Sequence, residues 1–574
     1  MNSDPEKLTD ISIVLCGAAG QGIQTVERLM TRLIKRAGYN VFATKEYMSR
    51  VRGGLNSTQI RVSAEPVRGF LDRIDIFVPM NDGAMKRLKK RIGRETVILG
   101  ERSVFEDELQ GETPVIEVPF TEIAEDIGNR VYSNTVAIGA LTGLLGIDRE
   151  KAVDSLKKYF GDKGTEIIED NIEALQRGYN AVKSKKLPGG RRVNIKPGDE
   201  VADQILVNGA EAVGMGAIAG GCNFISSYPM SPSTAVLTFL AGSGRSFGVL
   251  AEQAEDEIAA INMAVGAWYA GARGMVTTSG GGFALMTEGL SLSAMLETPI
   301  VIHLAQRPGP ATGLPTRTEQ GDLELALHGG HGEFPRIIYA PGNLEEAFFL
   351  THRAFNLAEK YQLPVIILTD QYFMDSYYNI DPFDLSGLNV EKHFIKTRED
   401  YKRYELTENG ISPRGIPGYG KGLVGVDSDE HDREGHITED LELRPRMVDK
   451  RLRKLESIRA EAEQPVLLGA ENYRHLVICW GSTFNIVCEA VEKLGTEDTA
   501  VLHFGQVYPL HEKSEELISK AERSVVVENN ATAQFARLLE NMTGAEIDHS
   551  ILKYDGLCFA SDTLAEELRE ILRG

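Results

Sequence analysis

The sequence predicts an α/β protein built in three parts, and three observations predict it. Near the N-terminus, "DISIVLCG" reads as a strand that feeds the Gly-rich "GAAGQG" and then an amphipathic helix. Between about residues 200 and 385, Gly/Ala-rich helices alternate with the apolar runs "GMVTTSG", "PIVIHLAQ" and "LPVIILTD", the pattern of buried parallel strands. After about residue 456 the alternation returns, with "HLVICWGS", "TAVLHFG" and "RSVVVENN" as strands.

Length agrees with that division, since 574 residues suit three or four domains of roughly 150 residues each. In the first part, residues 1–190, the helix after the turn carries Ile23, Val26, Leu29, Met30 and Ile34 on one side, which fits a doubly wound unit. "SKKLPGGRRVNIKPGDE" reads as a polar linker into the second part, 196–385. Residues 386–455 are charged and rich in Gly and Pro; such a stretch is a disordered connection or a functional lid. The third part is 456–574.

Composition excludes several functions. The net charge of −21 opposes general nucleic-acid binding, which needs a phosphate-neutralising surface. No apolar run approaches the roughly 20 residues that span a bilayer, and "MNSDPEKLTD" lacks a signal peptide's basic start and apolar core, so a cytoplasmic protein without membrane attachment is expected. The cysteines, Cys16, Cys222, Cys479, Cys488 and Cys558, form no CxxC pair; any iron–sulfur cluster belongs to another chain. His328 and His331 in "HGGHGEF" have no convergent Cys or acidic partner in the sequence, so no metal is assigned to this chain.

Four stretches carry candidate chemistry. In "GAAGQG", Gly17, Gly20 and Gly22 open a helix whose first N–H groups suit an anion, although Ala19 breaks the dinucleotide-binding spacing. "RVRGGLNSTQIRVS" places Arg52 and Asn56 just before a strand, as a polar loop facing the same crevice would. In "SSYPMSPST", Pro229 and Pro232 each fix φ and so stiffen a hydroxyl-rich corner that includes Tyr228 and Ser231. In "AEQAEDEIAAINMAVGAWYAGAR", Ile258, Ile261, Val265 and Trp268 form a helical stripe behind three carboxylates, Glu255, Asp256 and Glu257. Two of the three serve as ordinary charge at a helix N-terminus. One that leads into an apolar helix is partly buried and needs a partner. Finally, "TSGGGF" marks a close approach of backbone, and "QRPGPATGLPTRTEQ" holds Arg307, Thr312, Arg317 and Thr318 on a stiff loop suited to carboxylate binding.

Taken in order, "YPMSPST", "AEDEIAAINMAVGAWYAGAR", "TSGGGFALMTEGL", "QRPGPATGLPTRTEQGDL" and "GGHGEFPR" resemble the α subunit of the 2-oxoacid:ferredoxin oxidoreductases. "GAAGQG" with "RGGLN" resembles the γ domain of the same enzymes, fused here at the N-terminus. "GSTFNIVCEA" and "VVVENNATAQFARLL" resemble their transketolase C-terminal-like domain. The resemblance implies a γ-type domain, a thiamine-diphosphate pyrimidine-binding domain, a linker with a plug-like loop at "GYGKGLVGVDSDEHDREG", and the C-terminal domain.

It also implies thiamine diphosphate shared with a separate β subunit, coenzyme A as a substrate, and Mg²⁺ and a [4Fe-4S] cluster on that β subunit. Ferredoxin accepts the electrons, and the assembly is (αβ)₂. By the same resemblance Glu257 hydrogen-bonds the aminopyrimidine N1′ and favours its imino tautomer. Arg307 grips the substrate carboxylate with Thr312 beside it, and Ser231 stands where the family has Thr. Tyr228 and Pro229 line the cofactor, and Gly17, Gly20, Gly22, Arg52 and Asn56 contact coenzyme A. "GGHGEFPR" points to 2-oxoglutarate, whose second carboxylate would use His331, Arg317 or His328. Pyruvate, branched-chain or aryl 2-oxoacids are the alternative substrates. A non-catalytic nucleotide-binding or assembly subunit, and a transketolase-type enzyme without iron–sulfur chemistry, are the alternatives of another kind.

Overall fold

The computed structural model describes residues 7–18, 21–48, 54–106, 113–161, 163–185, 187 and 191–573. Chain contacts divide it into two compact units. One comprises residues 1–207 with Ser376–Pro382 and Ala560–Thr563; the other comprises Asn208–Asp375, Phe383–Phe559 and Leu564–Gly574.

The first unit is built on an eight-stranded sheet. From edge to edge its strands are Val115–Glu117, Val97–Gly100, Ile76–Pro79, Asp10–Ala18, Leu55–Ser63, Asn40–Glu46, Tyr377–Ile380 and Ile205–Asn208. The sheet is mixed, where a doubly wound unit was expected. Asp10–Ala18 runs parallel to Ile76–Pro79 and antiparallel to Leu55–Ser63, which is antiparallel to Asn40–Glu46 as well. The reason is connection length. Residues 47–54 separate the last pair, too few for the crossover of a dozen residues that a parallel pair requires. The helix Ile23–Arg36 buries Ile23, Val26, Leu29, Met30 and Ile34, the five positions its periodicity marks.

The second unit holds two large sheets and a small two-stranded one. It takes in most, not all, of the sequence-defined parts 196–385 and 456–574, since residues up to Val207, Ser376–Pro382 and Ala560–Thr563 belong to the first unit. A seven-stranded sheet runs Leu250–Gln253, Phe224–Ser227, Gly274–Thr278, Ile300–Gln306, Pro364–Asp370, Ile337–Tyr339 and Gln506–Tyr508. The three apolar runs singled out in the sequence are adjacent and parallel at its centre. A five-stranded sheet, Val466–Gly469, Thr499–Phe504, His475–Trp480, Arg523–Glu528 and His549–Leu552, contains the three C-terminal runs, again parallel. Ile302 and Leu304 of one sheet share a core with Trp480, Leu502 and Phe504 of the other. At the centre of the larger sheet, His303 bridges Thr277 Oγ1 at 2.7 Å and Thr369 Oγ1 at 2.9 Å. Burial presses its pKa down to about 3, so the ring is neutral and satisfied on both nitrogens.

The charged stretch 386–455 is tied to this core. It forms a two-stranded parallel pair, Phe394–Thr397 with Arg414–Gly420, and leads into the helix Leu443–Ala460. Glu297 receives Lys454 Nζ at 2.6 Å and Lys450 Nζ, and its backbone carbonyl accepts Arg403 Nη2 at 2.6 Å. Glu359 pairs with Arg414, and with Arg273 at 3.2 Å. Lys450, Lys454, Arg403 and Arg414 are therefore buried against carboxylates, while much of the rest of the stretch, Tyr419 and Leu423 included, is exposed.

Breaking this network should be costly. Glu297→Ala leaves Lys450, Lys454 and Arg403 buried around a missing counter-charge, and the loss expected is about 3–5 kcal/mol, read as a lower urea midpoint. Glu399→Ala removes the partner of Lys421 in an exposed pair and should leave the midpoint unchanged.

Candidate functional site

The site in the second unit begins with the three carboxylates of Glu255–Glu257. The helix runs Glu257–Tyr269, and the residues before it form the edge strand Leu250–Gln253. Asp256 is the N-cap and accepts the Ala259 N–H at 2.7 Å, which satisfies one of the free donors of the first turn. Glu255 is exposed. Glu257 is only 3% exposed, and its Oε1 is buried without a hydrogen-bond partner. The helical stripe needs one correction: Ile261, Val265 and Trp268 are buried, but Ile258 is 48% exposed. Standing one position after Glu257, Ile258 points away when that carboxylate turns inward.

The "TSGGGF" turn lies against this carboxylate. Ser279 precedes a short helix, Gly280–Leu285, and its buried Oγ also lacks a partner. A Cβ on Gly282 would stand 2.7 Å from Glu257 Oε1, and one on Gly280 would stand 2.4 Å from Asp322 Oδ2. Glycine is required here by close approach: the backbone fills the space a side chain would take between two carboxyl groups.

Arg307 follows the strand Ile300–Gln306 and donates from Nη1 to the Ser231 carbonyl at 2.8 Å. Residues that sequence reasoning placed in separate motifs thus meet, through the backbone of Ser231. The charges of Asp322 and Glu257 both act on Arg307, opposing the burial that lowers its pKa. The loop beyond Arg307 folds back with Leu314 N–H on the Pro308 carbonyl at 3.0 Å, and the Ala311 carbonyl lies 3.7 Å from a Cβ built on Gly281. Thr312 is on this loop and exposed. Thr318 is not a ligand group: it is buried and donates to Asp370 Oδ1 at 3.0 Å.

The hydroxyl corner is largely consumed by the fold. Ser226 donates to the Ala260 carbonyl and Ser227 to the Thr277 carbonyl, both at 2.6 Å, while Ser233 donates to Met230 at 2.7 Å. The hydroxyl-bearing shelf therefore narrows to Ser231, which is exposed, and the half-buried Thr234, beside the 41%-exposed Tyr228 and the half-buried Pro229. The sequence does not distinguish a hydroxyl that ties a strand to a helix from one left for a ligand.

Two residues were missed. Gln320 anchors the arginine loop to the smaller sheet, donating to the Trp480 carbonyl at 2.8 Å and accepting the Asn529 N–H at 2.9 Å. Asp322, in the same "EQGDL", has its N–H on Gln306 Oε1 at 2.9 Å and leaves Oδ2 buried and unpartnered. Burial, with Glu319 adding and Arg307 opposing, pushes its pKa up to about 7. The visible signal was an acidic residue closing the arginine loop.

In the first unit, Gly17 stands opposite Asn56, but both lie within the paired strands Asp10–Ala18 and Leu55–Ser63 rather than on loops. Gln21 turns its Oε1 back to the Ala18 N–H at 2.7 Å, and Gly22 caps the helix at φ 75°. A cavity of about 580 Å³ is lined by Gln21, Gly22 and Thr25 together with Arg130, Tyr132 and Asn134. Gly20 and Arg52 lie outside the described residues.

Comparison with known proteins adds to this geometry. Residues 215–450 match the thiamine-diphosphate-binding family model of pyruvate flavodoxin/ferredoxin oxidoreductases, and residues 12–181 match the pyruvate ferredoxin/flavodoxin oxidoreductase model. The chain is 32% identical to a 2-oxoacid:ferredoxin oxidoreductase α subunit of Sulfolobus sp., over 98% of this chain and 97% of that one. It is 28% identical to the 2-oxoglutarate oxidoreductase subunit KorA of Mycobacterium tuberculosis, over 100% and 93%. Among solved structures, it is similar to the 2-oxoglutarate:ferredoxin oxidoreductase of Magnetococcus marinus with 2-oxoglutarate, coenzyme A and succinyl-CoA bound. That match has a TM-score of 0.92 and 31% identity, covering 98% of this chain and 100% of that one. No described helix is long and apolar enough to cross a membrane.

The turn makes a paired prediction. Gly282→Ala drives a Cβ to 2.2 Å from Thr278 Oγ1 and against Glu257, which should cost about 1–3 kcal/mol in thermal unfolding and displace the carboxylate. Gly281→Ala, whose nearest neighbour lies at 3.7 Å, should unfold like the parent.

Proposed function

This chain belongs to the 2-oxoacid:ferredoxin oxidoreductases as an α subunit, and from that premise we propose that it interconverts 2-oxoglutarate, coenzyme A and oxidised ferredoxin with succinyl-CoA, CO₂ and reduced ferredoxin. The observation that carries the reading is the buried Glu257 Oε1 with no partner of its own, beside Arg307 and the glycine turn. A buried carboxylate oxygen left open is costly unless a ligand completes it, and an aminopyrimidine nitrogen fits.

Thiamine diphosphate, when bound, supplies a nucleophilic carbon and an electron sink for the carbanion left by CO₂. The chain's own residues hold and orient. Glu257 hydrogen-bonds the pyrimidine N1′ through Oε1 and keeps a proton at that position. Arg307 has Nη1 fixed on Ser231, so its remaining donors serve the substrate's C1 carboxylate. Ser231 offers its exposed hydroxyl, Thr312 stands on the loop beside them, and Tyr228 and Pro229 line the approach. Gly17, Gly22 and Asn56, with Gly20 and Arg52, form the coenzyme A contacts; among them Gly22 lines the cavity described above, and Gly22 and Asn56 line a second one of about 280 Å³. A β subunit supplies Mg²⁺, the diphosphate contacts and the [4Fe-4S] cluster in a cytoplasmic (αβ)₂ complex.

The choice of 2-oxoglutarate is supported by the names of the KorA relative and the Magnetococcus marinus structure. His331 and His328 are exposed candidates for its second carboxylate, with Arg317 on the arginine loop.

The purified complex should show an iron–sulfur visible spectrum and contain thiamine diphosphate, with a higher kcat/KM for 2-oxoglutarate than for pyruvate. A colourless complex without thiamine overturns the function, and a preference for pyruvate overturns the substrate. Glu257→Gln should lower kcat at least about 10²-fold while the complex assembles. Arg307→Ala should raise KM roughly ten- to hundredfold, the loss of one charge-assisted pair worth about 1.5–3 kcal/mol.

A further inference from the structure

Asp322 stands at the head of the helix Leu323–His328 and is fixed by its backbone. Its N–H rests on Gln306 Oε1, and Gln306 Nε2 donates to the Thr369 carbonyl at 3.1 Å. Gly321 just before it accepts Gln534 Nε2 at 2.8 Å. The carboxyl is thereby turned toward Gly280, where Oδ2 is buried and unpartnered. Arg307 is within electrostatic reach but makes no ion pair with it, and Arg307 Nε is also buried and unpartnered. Two groups of opposite character thus sit near each other with their hydrogen-bonding capacity unused.

We propose that Asp322 is a positioning residue for substrate: by gaining or losing a proton it decides whether the charge of Arg307 is available to the carboxylate of a 2-oxoacid. The inference rests on Arg307 as the carboxylate anchor. With Asp322 neutral, the guanidinium charge is left to the substrate. With Asp322 ionised, two carboxylates compete for one cation, and the substrate loses. The groups that set its proton are few. Glu319 favours the protonated form and Arg307 the ionised form, while Glu257 acts on Arg307 from the facing helix. Glu324, next along its own helix, is paired with Arg537.

The sign follows from these contacts. Burial and Glu319 hold the carboxyl near a pKa of about 7, so Asp322 is neutral below that pH and ionised above it. Substrate binding brings in another anion and favours the neutral form, so binding above neutrality takes up a proton.

The test is calorimetric titration of 2-oxoglutarate into the assembled complex freed of thiamine diphosphate, from pH 6 to pH 8.5, in buffers of different ionisation heat. The parent should bind about fivefold more weakly at pH 8 than at pH 6 and take up a fraction of a proton near pH 7.5. Asp322→Asn should bind with little pH dependence and no proton uptake. Glu319→Gln should move the midpoint to lower pH, which keeps the test open if the Asn variant misfolds. Parent-like proton uptake in a folded Asp322→Asn complex overturns the inference, as does an unmoved midpoint in Glu319→Gln. Undiminished binding by Arg307→Ala overturns instead the anchor on which it rests.

Discussion

The second unit depends on a carboxylate taken out of water with one oxygen left open. Glu257 enters an apolar helix at its first residue, and the fold shapes its surroundings around that choice. Asp256 takes the capping duty, so Glu257 is not needed for it. Gly282 gives up a side chain so the turn can lie against the carboxylate, and Ser279 and Asp322 add further unpartnered oxygens near the same turn. Buried polar groups are nearly always satisfied, so three unpartnered oxygens from separate elements gathered at one turn are what supports the cofactor site proposed above.

Rigidity at the site comes from both sheets of the second unit. The larger sheet presents Arg307 at a strand's C-terminal end, where parallel sheets bind ligands. The smaller sheet holds the same loop through Gln320, which is bonded to Trp480 and Asn529. A loop clamped at Gln320 and an Nη1 held by Ser231 leave Arg307 with less conformational entropy to lose if it grips a carboxylate, the role proposed above. The charged stretch 386–455 contributes differently, burying its cations against Glu297 and Glu359. Such pairs add little net stability over apolar packing, but they punish any other arrangement, since each misplaced cation would be buried alone.

Much was legible from local pattern. Strands marked by apolar runs and the helix marked by period appear where expected because burial of one face dictates both. The motifs that carry Glu257, Arg307 and Ser231 were recognisable in the sequence, and the structure brings Arg307 onto Ser231. Less legible was everything decided by a partner distant in sequence. Three of the five hydroxyls in "SSYPMSPST" close onto backbone carbonyls, Thr318 onto Asp370, and Ile258 turns outward because its neighbour turns in.

By itself, then, the sequence determined the α/β class, the run of strands and helices, and the residue types available for chemistry, because those follow from periodicity and from the reach of neighbouring residues. Only the tertiary structure decided that Leu55–Ser63 makes the first sheet mixed, that Ser231 meets Arg307 through its carbonyl, and that Asp322 joins the site. The physical reason is common to all three. Whether a polar group is satisfied, exposed or poised is a property of what surrounds it, and those surroundings come from parts of the chain that no local window contains.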